Sequence, residues 1–339
     1  MRRQSPFQFI LIASLILVLA LFLGLLSGAV DIHPSKLLGL FSLSNMDMDH
    51  RILQTIRLPR VLLAALAGAC LASCGAIMQG LFRNPLADPS LIGVSSGASV
   101  GASCVIFFGG ASLVGSGVGL PAITIGAFVG GLVATSVVYR LATSSTGTSV
   151  STMLLAGIAI TALAGATTSL FSFFADNEML RRISLWQMGN LDGADWSRVA
   201  TLALVVVPLM LVLPREGQAL NAMLLGESEA RHLGVAVERL KRRLILLTAL
   251  GVGVAVAVSG VVAFVGLIVP HLVRLLIGPD HRYLIPGSAI LGAALLLLAD
   301  TAARTLMSPA ELPTGVLTAL LGAPFFVGLL LQQRQKRVG

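Results

Sequence analysis

Reactive chemistry needs ionisable or nucleophilic side chains in the right company, and this 339-residue chain places few of them so. Asp300, His271 and Arg274 fall within or beside apolar runs, where ionisable groups ordinarily mark proton relays, ion sites or catalytic centres. No carboxylate pair, HExxH or GxSxG motif accompanies them. His271 follows Pro270 in VGLIVPHLVR, a setting that suits packing or gating better than ligation. Cys70 and Cys74 stand one helical turn apart with no histidine or acid nearby, so they and Cys104 read as small buried residues. None of Lys36, Lys241 and Lys336 follows a GxxxxG, so no loop is built to cradle the phosphates of ATP. The sequence offers no catalytic centre.

What it offers instead is a docking surface. The stretch 215–243, REGQALNAMLLGESEARHLGVAVERLKRR, concentrates charge in a chain that is otherwise apolar. Leu220, Met223 and Leu224 form an i, i+3, i+4 stripe, which predicts a short amphipathic helix. Gly226 interrupts it, Glu227 and Arg231 make a favourable i, i+4 pair, and Gly234 stops a second short helix. A headgroup-binding segment would be uniformly basic, whereas this one carries Glu216, Glu227 and Glu229.

The elements that position this island are membrane spans. The chain is 56% hydrophobic and 11% charged, with mean hydropathy +0.92, against about 25% charged in ordinary soluble domains. This composition is that of an integral membrane protein. The net charge of +8 does not point to nucleic acid, since no basic cluster is interleaved with aromatics. A crossing needs about 20 apolar residues. The expected spans are 4–30 (too long for a signal peptide's apolar core), 61–82, two within the uncharged run 89–139 split at 115–121, 148–174, one ending near 213, 244–260, a shorter one after Gly260, 283–299 and 312–331. The segments 31–60 and 175–198 are expected as polar loops, the first containing the RLPR of Arg57 and Arg60. Placing the N-terminus inside puts fifteen of the 23 basic residues in the cytoplasm, so the expected topology is N-in, C-in, with 215–243 cytoplasmic. Gly93, Gly97 and Gly101, and again Gly126 and Gly130, recur every four residues, predicting close helix approach in lipid.

Six blocks in order, RLPRVLLAALAG (57–68), GAIMQGLFRNPLADPSLIGVSSGA (75–98), GESEARHLG (226–234), FVGLIVPHLVR (264–274), HRYLIPGS (281–288) and ADTAARTLMSPAELPTGVLTALLGAPFF (299–326), resemble the FecCD/BtuC-type permeases. These are membrane subunits of ABC importers for iron–siderophores, haem and cobalamin. The likeness spans nearly the whole chain and is weakest before Arg57 and across 109–148. It implies an all-α polytopic membrane protein of about ten transmembrane helices, the type II ABC importer permease fold, in a single domain over 1–339.

By that resemblance the partners are a second permease copy, two cytoplasmic ATPase subunits and a periplasmic substrate-binding protein. The chain would bind no cofactor or metal, and ATP with Mg would act through the ATPase. The resemblance assigns ATPase coupling to Leu220, Met223, Leu224, Gly226, Glu227, Glu229, Arg231 and Gly234, and binding-protein docking to Arg57, Arg60 and Arg304. It assigns a cytoplasmic gate to Asn84 and Leu86, with Ser149 and Ser151 as a second element, where TGTSVST departs from the family pattern. Thr161, Thr167, Thr168, Ser169 and Ser172 would line a weakly polar passage. Substrate is expected to be haem or a ferric siderophore, with cobalamin the alternative, in the bacterial cytoplasmic membrane. A different class, a stand-alone secondary transporter, predicts acids within the membrane and inverted repeats of broken helices.

Overall fold

Hydrocarbon offers the backbone no hydrogen-bond partners, so a chain this apolar is driven to close its own bonds as helices. A computed structural model describes residues 5–28, 30, 32–39, 47–110, 119–145, 147–308 and 310–338, with side chains left out at 329–330 and 332–338. The described residues form α1 (Pro6–Leu26), α2 (Met48–Ile52), α3 (Leu58–Leu81), α4 (Val94–Gly109), α5 (Gly119–Ala142), α6 (Val150–Phe174), α7 (Asn177–Gln187), α8 (Trp196–Val212), α9 (Gly217–Leu225), α10 (Glu227–His232), α11 (Val237–Ser259), α12 (Val265–Ile277), α13 (His281–Thr305) and α14 (Thr314–Val338). A two-residue antiparallel hairpin, β1 (Thr143–Ser144) and β2 (Gly147–Thr148), pairs Thr143 with Thr148 just before α6. Helix starts are marked by side chains that accept from the first-turn amides: Ser5, Ser149, Asp176, Asp195 and Asp280.

Among the described residues, seven helices are long and apolar enough to cross a membrane, and α4, α12 and the Thr314–Gly328 part of α14 are shorter apolar helices. All of them fall where apolar runs predict spans. Their exposed large side chains, such as Leu11 and Leu15 of α1, Ile125 and Val129 of α5 and Leu204 of α8, form the lipid-facing exterior.

The bundle is built around α3, which is buried on nearly every side from Ala67 to Leu81 and packs against α8, α11, α12 and α13. α1 lies on α13, and α4 with α5 forms a second unit joined to α11. Glycines set these distances. A Cβ on Gly75 would stand 1.9 Å from the carbonyl oxygen of Gly266, and one on Gly68 would stand 2.2 Å from that of Gly292. Between α4 and α5, a Cβ on Gly97 or Gly101 would lie 2.4 Å or 2.0 Å from the carbonyl oxygen of Gly130 or Gly126. The expected glycine contact is therefore present from Gly97 onward, while Gly93 instead caps α4 with φ 82. Backbone-to-backbone approach of this kind is what drives association where lipid removes the hydrophobic incentive.

Four boundaries differ from expectation. RLPR is helical: Met48 to Leu81 is one continuous helix with a π turn at Leu53–Arg57, and Pro59 is tolerated in the first turn of α3. The 175–198 segment contains α7, an amphipathic helix whose Ile183 is buried. α11 begins at Val237, so ERLKRR forms its first turns rather than a loop. α13 runs from His281 to Thr305, beyond the expected ends. The break at Gly260 occurs as expected, with φ 68, and Phe264 enters α12 at the same positive φ. Most of the predicted 115–121 break lies outside the described residues.

Candidate functional site

The charged island folds as two helices joined at Gly226, whose φ of 123 suits a residue without a Cβ, and α10 ends just before Gly234 at φ 86. The apolar stripe is divided. Leu220 and Met223 are fully buried against the chain's own bundle, where α9 packs on α3 and α13. The expectation that these two face a partner is corrected: a stripe shows that a face is covered, not what covers it. The exposed apolar tip is Leu224 (40%), Leu225 (68%) and Leu233 (64%), and Leu225 and Leu233 escaped the sequence reading because they lie off the stripe. Glu229 is also exposed, and Arg231 pairs with Glu227 at 3.6 Å.

Behind the tip lies Lys241, 2% exposed. Its Nζ is 2.8 Å from Glu227 Oε1 on α10, and it donates at 3.1 Å to Glu238 Oε1 and at 2.9 Å to the Thr148 carbonyl. Glu238 Oε2 in turn accepts from the Thr148 amide at 2.8 Å. Gly147, at φ 121, leaves room for that carboxylate, since a Cβ there would stand 2.9 Å from it. The lysine was legible only as part of a basic run.

The other side of the island is held by Asn221. Its Oδ1 accepts from His281 N at 2.9 Å and lies 3.0 Å from His281 Nδ1, while its amide donates to Asp280 Oδ1 at 2.7 Å. Gly80 makes room for the buried ring: a Cβ there would meet His281 Nε2 at 2.4 Å. Hydrogen bonding from Arg282 is the largest effect on the Asp280 carboxyl; burial opposes it, and with a further hydrogen bond from Asn221 the group is held down at about 2, below its usual 3.8. A carboxylate whose folded-state pKa is depressed adds stability above its unfolded value and loses it as pH falls through the folded one. The Tm gap between the wild-type chain and Asp280→Asn in detergent is therefore expected to be constant above pH 3.8 and to close toward pH 2. A gap that stays flat over that window would show that the carboxylate is not the stabilising group.

The gate residues fall on two turns. Asn84 Oδ1 accepts from Leu86 N at 3.0 Å, an Asx turn that carries the chain out of α3. Ser149 caps α6, and Ser151 is exposed on its first turn. Residues 89–92 after the first turn press on α6, where a Cβ on Gly157 would be 1.8 Å from the Leu91 carbonyl oxygen. Along the same face a cavity of about 400 Å³ is lined by Ser96, Ser99, Thr161, Thr168, Ser169, Ser172 and Gln187, with Ala164 and Gly165. A neighbouring one of about 360 Å³ shares Ser96, Ser99 and Thr161 and reaches Ser90 and Leu91. Neither lining includes a charge or an aromatic ring. The α4 serines were missed because they are interleaved with the glycines of a small-residue stripe; Thr167 and Thr168 both bond back one turn, to the Leu163 and Ala164 carbonyls, and of the two Thr168 lines the cavity.

The three arginines at the other end of α3 are not exposed docking groups. Arg57, Arg60 and Arg304 are 4%, 5% and 7% exposed. Arg57 donates to the carbonyls of Leu25 at 2.7 Å and Leu26 at 2.5 Å, and to that of Val30. Arg304 donates to those of Gly24 at 2.9 Å and Ser27 at 3.1 Å. Together they satisfy the carbonyls that the C-terminus of α1 leaves unpaired, with charge of the sign its dipole favours. Arg60 grips Asp300 through Nε at 3.1 Å and 3.2 Å and Nη2 at 3.0 Å, and reaches Glu311 at 2.7 Å. The fully buried Asp300 also accepts from Thr314 at 3.1 Å, and Arg304 Nε lies 3.3 Å from it.

Comparison with known proteins agrees with this architecture. The model of the FecCD transport family matches residues 16–332. The hemin transport system permease protein HmuU of Yersinia pestis is 45% identical over 97% of this chain and 98% of its own length. The vitamin B12 import system permease protein BtuC of Salmonella paratyphi A is 40% identical over 98% of this chain and 97% of its own. A solved metal-chelate-type ABC transporter in an inward-facing conformation superposes with TM-score 0.84 at 33% identity, covering 96% of this chain and 99% of that one. PsaBC of Streptococcus pneumoniae shares the fold alone, at TM-score 0.57 and 18% identity. Helices, glycine contacts and likeness agree along the length of the chain, and this multi-pass membrane protein belongs to the FecCD transport family.

Proposed function

We propose that this permease works in an ATP-driven importer, that α9 and α10 dock on a partner ATPase, and that its cargo is haem or a ferric siderophore. The observation that carries the reading is the tip of 217–234: a helix–glycine–helix unit braced into the bundle yet showing Leu224, Leu225 and Leu233 outward. Exposed leucines on a rigid projection fit an anchor for a partner's apolar cleft, with Glu229 and Arg231 fixing orientation. The chain has no phosphate-cradling loop of its own, so ATP and Mg act through that partner. A second copy of the chain completes the passage, with the hydroxyl-lined face of α4 and α6 as its wall. Such a wall suits a bulky cargo selected by a separate binding protein, and the 45% identity to HmuU extends over 97% of this chain, against 84% for the BtuC relative of equal identity. The charge bias supports N-in, C-in and a cytoplasmic tip. Asn84, Leu86, Ser149 and Ser151 sit on the turns that narrow its cytoplasmic mouth.

The test is reconstitution in proteoliposomes with the ATPase, scoring ATP-dependent uptake from binding proteins loaded with haem, ferric siderophore or cobalamin. Haem or siderophore uptake that requires ATPase and ATP is the expected result, and uptake without the ATPase sinks the importer reading. In the same system Leu225→Asp combined with Leu233→Asp is expected to weaken ATPase association about 30-fold or more, the scale of a lost interface anchor. Full association of that variant would place the docking surface elsewhere.

A further inference from the structure

The bond network around Lys241 carries an inference that rests on the proposed coupling role of α10. Three elements meet at one ammonium group: α10 through Glu227, α11 through Glu238, and the hairpin before α6 through the Thr148 carbonyl. The ammonium has three protons and three acceptors, so its capacity is filled. Glu238 closes the circuit by taking the Thr148 amide, so both backbone groups of that residue are held by the pair. The next residue, Ser149, caps α6, and α6 carries the hydroxyls of the cavity wall.

We propose that Lys241 is a positioning residue that makes α10 and the β1–β2 hairpin move as one body, so that displacement of the tip by a partner reaches the first turn of α6. The placement favours a link over ordinary packing. A buried ammonium costs several kcal/mol unless it is paired, and an apolar side chain would fill the space without that cost. Its partners also come from separate segments rather than from one helix face. Glu227 belongs to the tip, with its side chain 28% exposed, so the circuit runs from the surface to the hairpin in two ion pairs. An arginine's planar fork would not meet three acceptors arranged around a tetrahedral nitrogen.

The experiment uses the assembled complex of permease, ATPase and loaded binding protein in proteoliposomes, and reads cargo moved per ATP hydrolysed. Lys241→Met cuts all three bonds. Glu227→Gln removes the charge that joins Lys241 to α10, together with the exposed pair to Arg231, leaving Lys241, Glu238 and Thr148 bonded. Both are expected to lower the ratio, Lys241→Met by about fivefold or more, the low end of measured coupling between sites. A merely structural lysine would lower Tm and the amount of complex, but not cargo per ATP. As a second readout, spin labels at Ser228 on α10 and Ser145 in the hairpin turn should give one narrow distance distribution in every nucleotide state. Glu227→Gln should broaden it, and this variant serves if Lys241→Met does not assemble. An unchanged ratio with an unchanged distribution in either assembled variant overturns the proposal. If the unsubstituted complex moves no cargo with ATP, the importer reading falls first, and the inference falls with it. A normal ratio in that complex, kept by both variants, refutes the inference alone.

Discussion

Asp300→Asn is expected to destabilise the chain by about 3–5 kcal/mol, the usual cost of removing one partner from a buried ion pair. Asp300 is fully buried and is the carboxylate shared by Arg60 and Arg304, both nearly buried themselves. Asparagine keeps the shape and some hydrogen bonds but leaves two guanidiniums short of one negative charge in a site with little water. Glu311 is the internal control. It also pairs with Arg60, but its side chain is 39% exposed, so Glu311→Gln is expected to cost under about 1 kcal/mol. Thermal unfolding of the purified chain in detergent compares the two. Equal small shifts would mean that water reaches Asp300, and the account of a sealed arginine cluster would fail.

The second large effect is expected at Gly75. Gly75→Ala places a methyl group where 1.9 Å separates it from the Gly266 carbonyl oxygen. The obstacle is backbone, so no side chain can rotate away, and α3 must separate from α12 over several turns. The cost is expected at about 3 kcal/mol or more, the upper range for overpacking, with loss of the monodisperse species in size-exclusion chromatography. Gly165→Ala on α6 has nothing within 4 Å and is expected to leave Tm unchanged or slightly raised. A well-folded Gly75→Ala protein with wild-type Tm would show that the α3–α12 contact is looser than drawn.

Where the sequence spoke plainly, it did so through periodicity and composition. Apolar runs locate the helices because lipid length and backbone bonding leave little choice, and Gly260 marks a real break. The two short helices α9 and α10 were also visible in their stripe and glycines. What stayed hidden was the identity of partners far away in sequence. Arg60 looks the same on paper whether it meets solvent or Asp300, which is 240 residues away. Leu220 and Leu225 are equally apolar, but one faces α3 and α13 and the other faces out. Lys241 sits in KRR, a run that composition assigns to a solvated face, yet it is buried with Glu227, Glu238 and the Thr148 carbonyl around it. The likeness to a family implies roles for such residues, among them a docking role for three arginines that are buried in the single chain.

The way α1 ends has a consequence for the order in which the protein is finished. Its last carbonyls take one set of bonds from Arg57, made some 30 residues later, and another from Arg304, 280 residues after Gly24. At a synthesis rate of roughly 5–20 residues per second, the second set arrives on the order of tens of seconds after the first. Until then α1 holds half a cap, and its Gly24 and Ser27 carbonyls depend on headgroup water. The end of α1 is thus closed by two arginines that synthesis delivers far apart in time, one from the start of α3 and one from the end of α13.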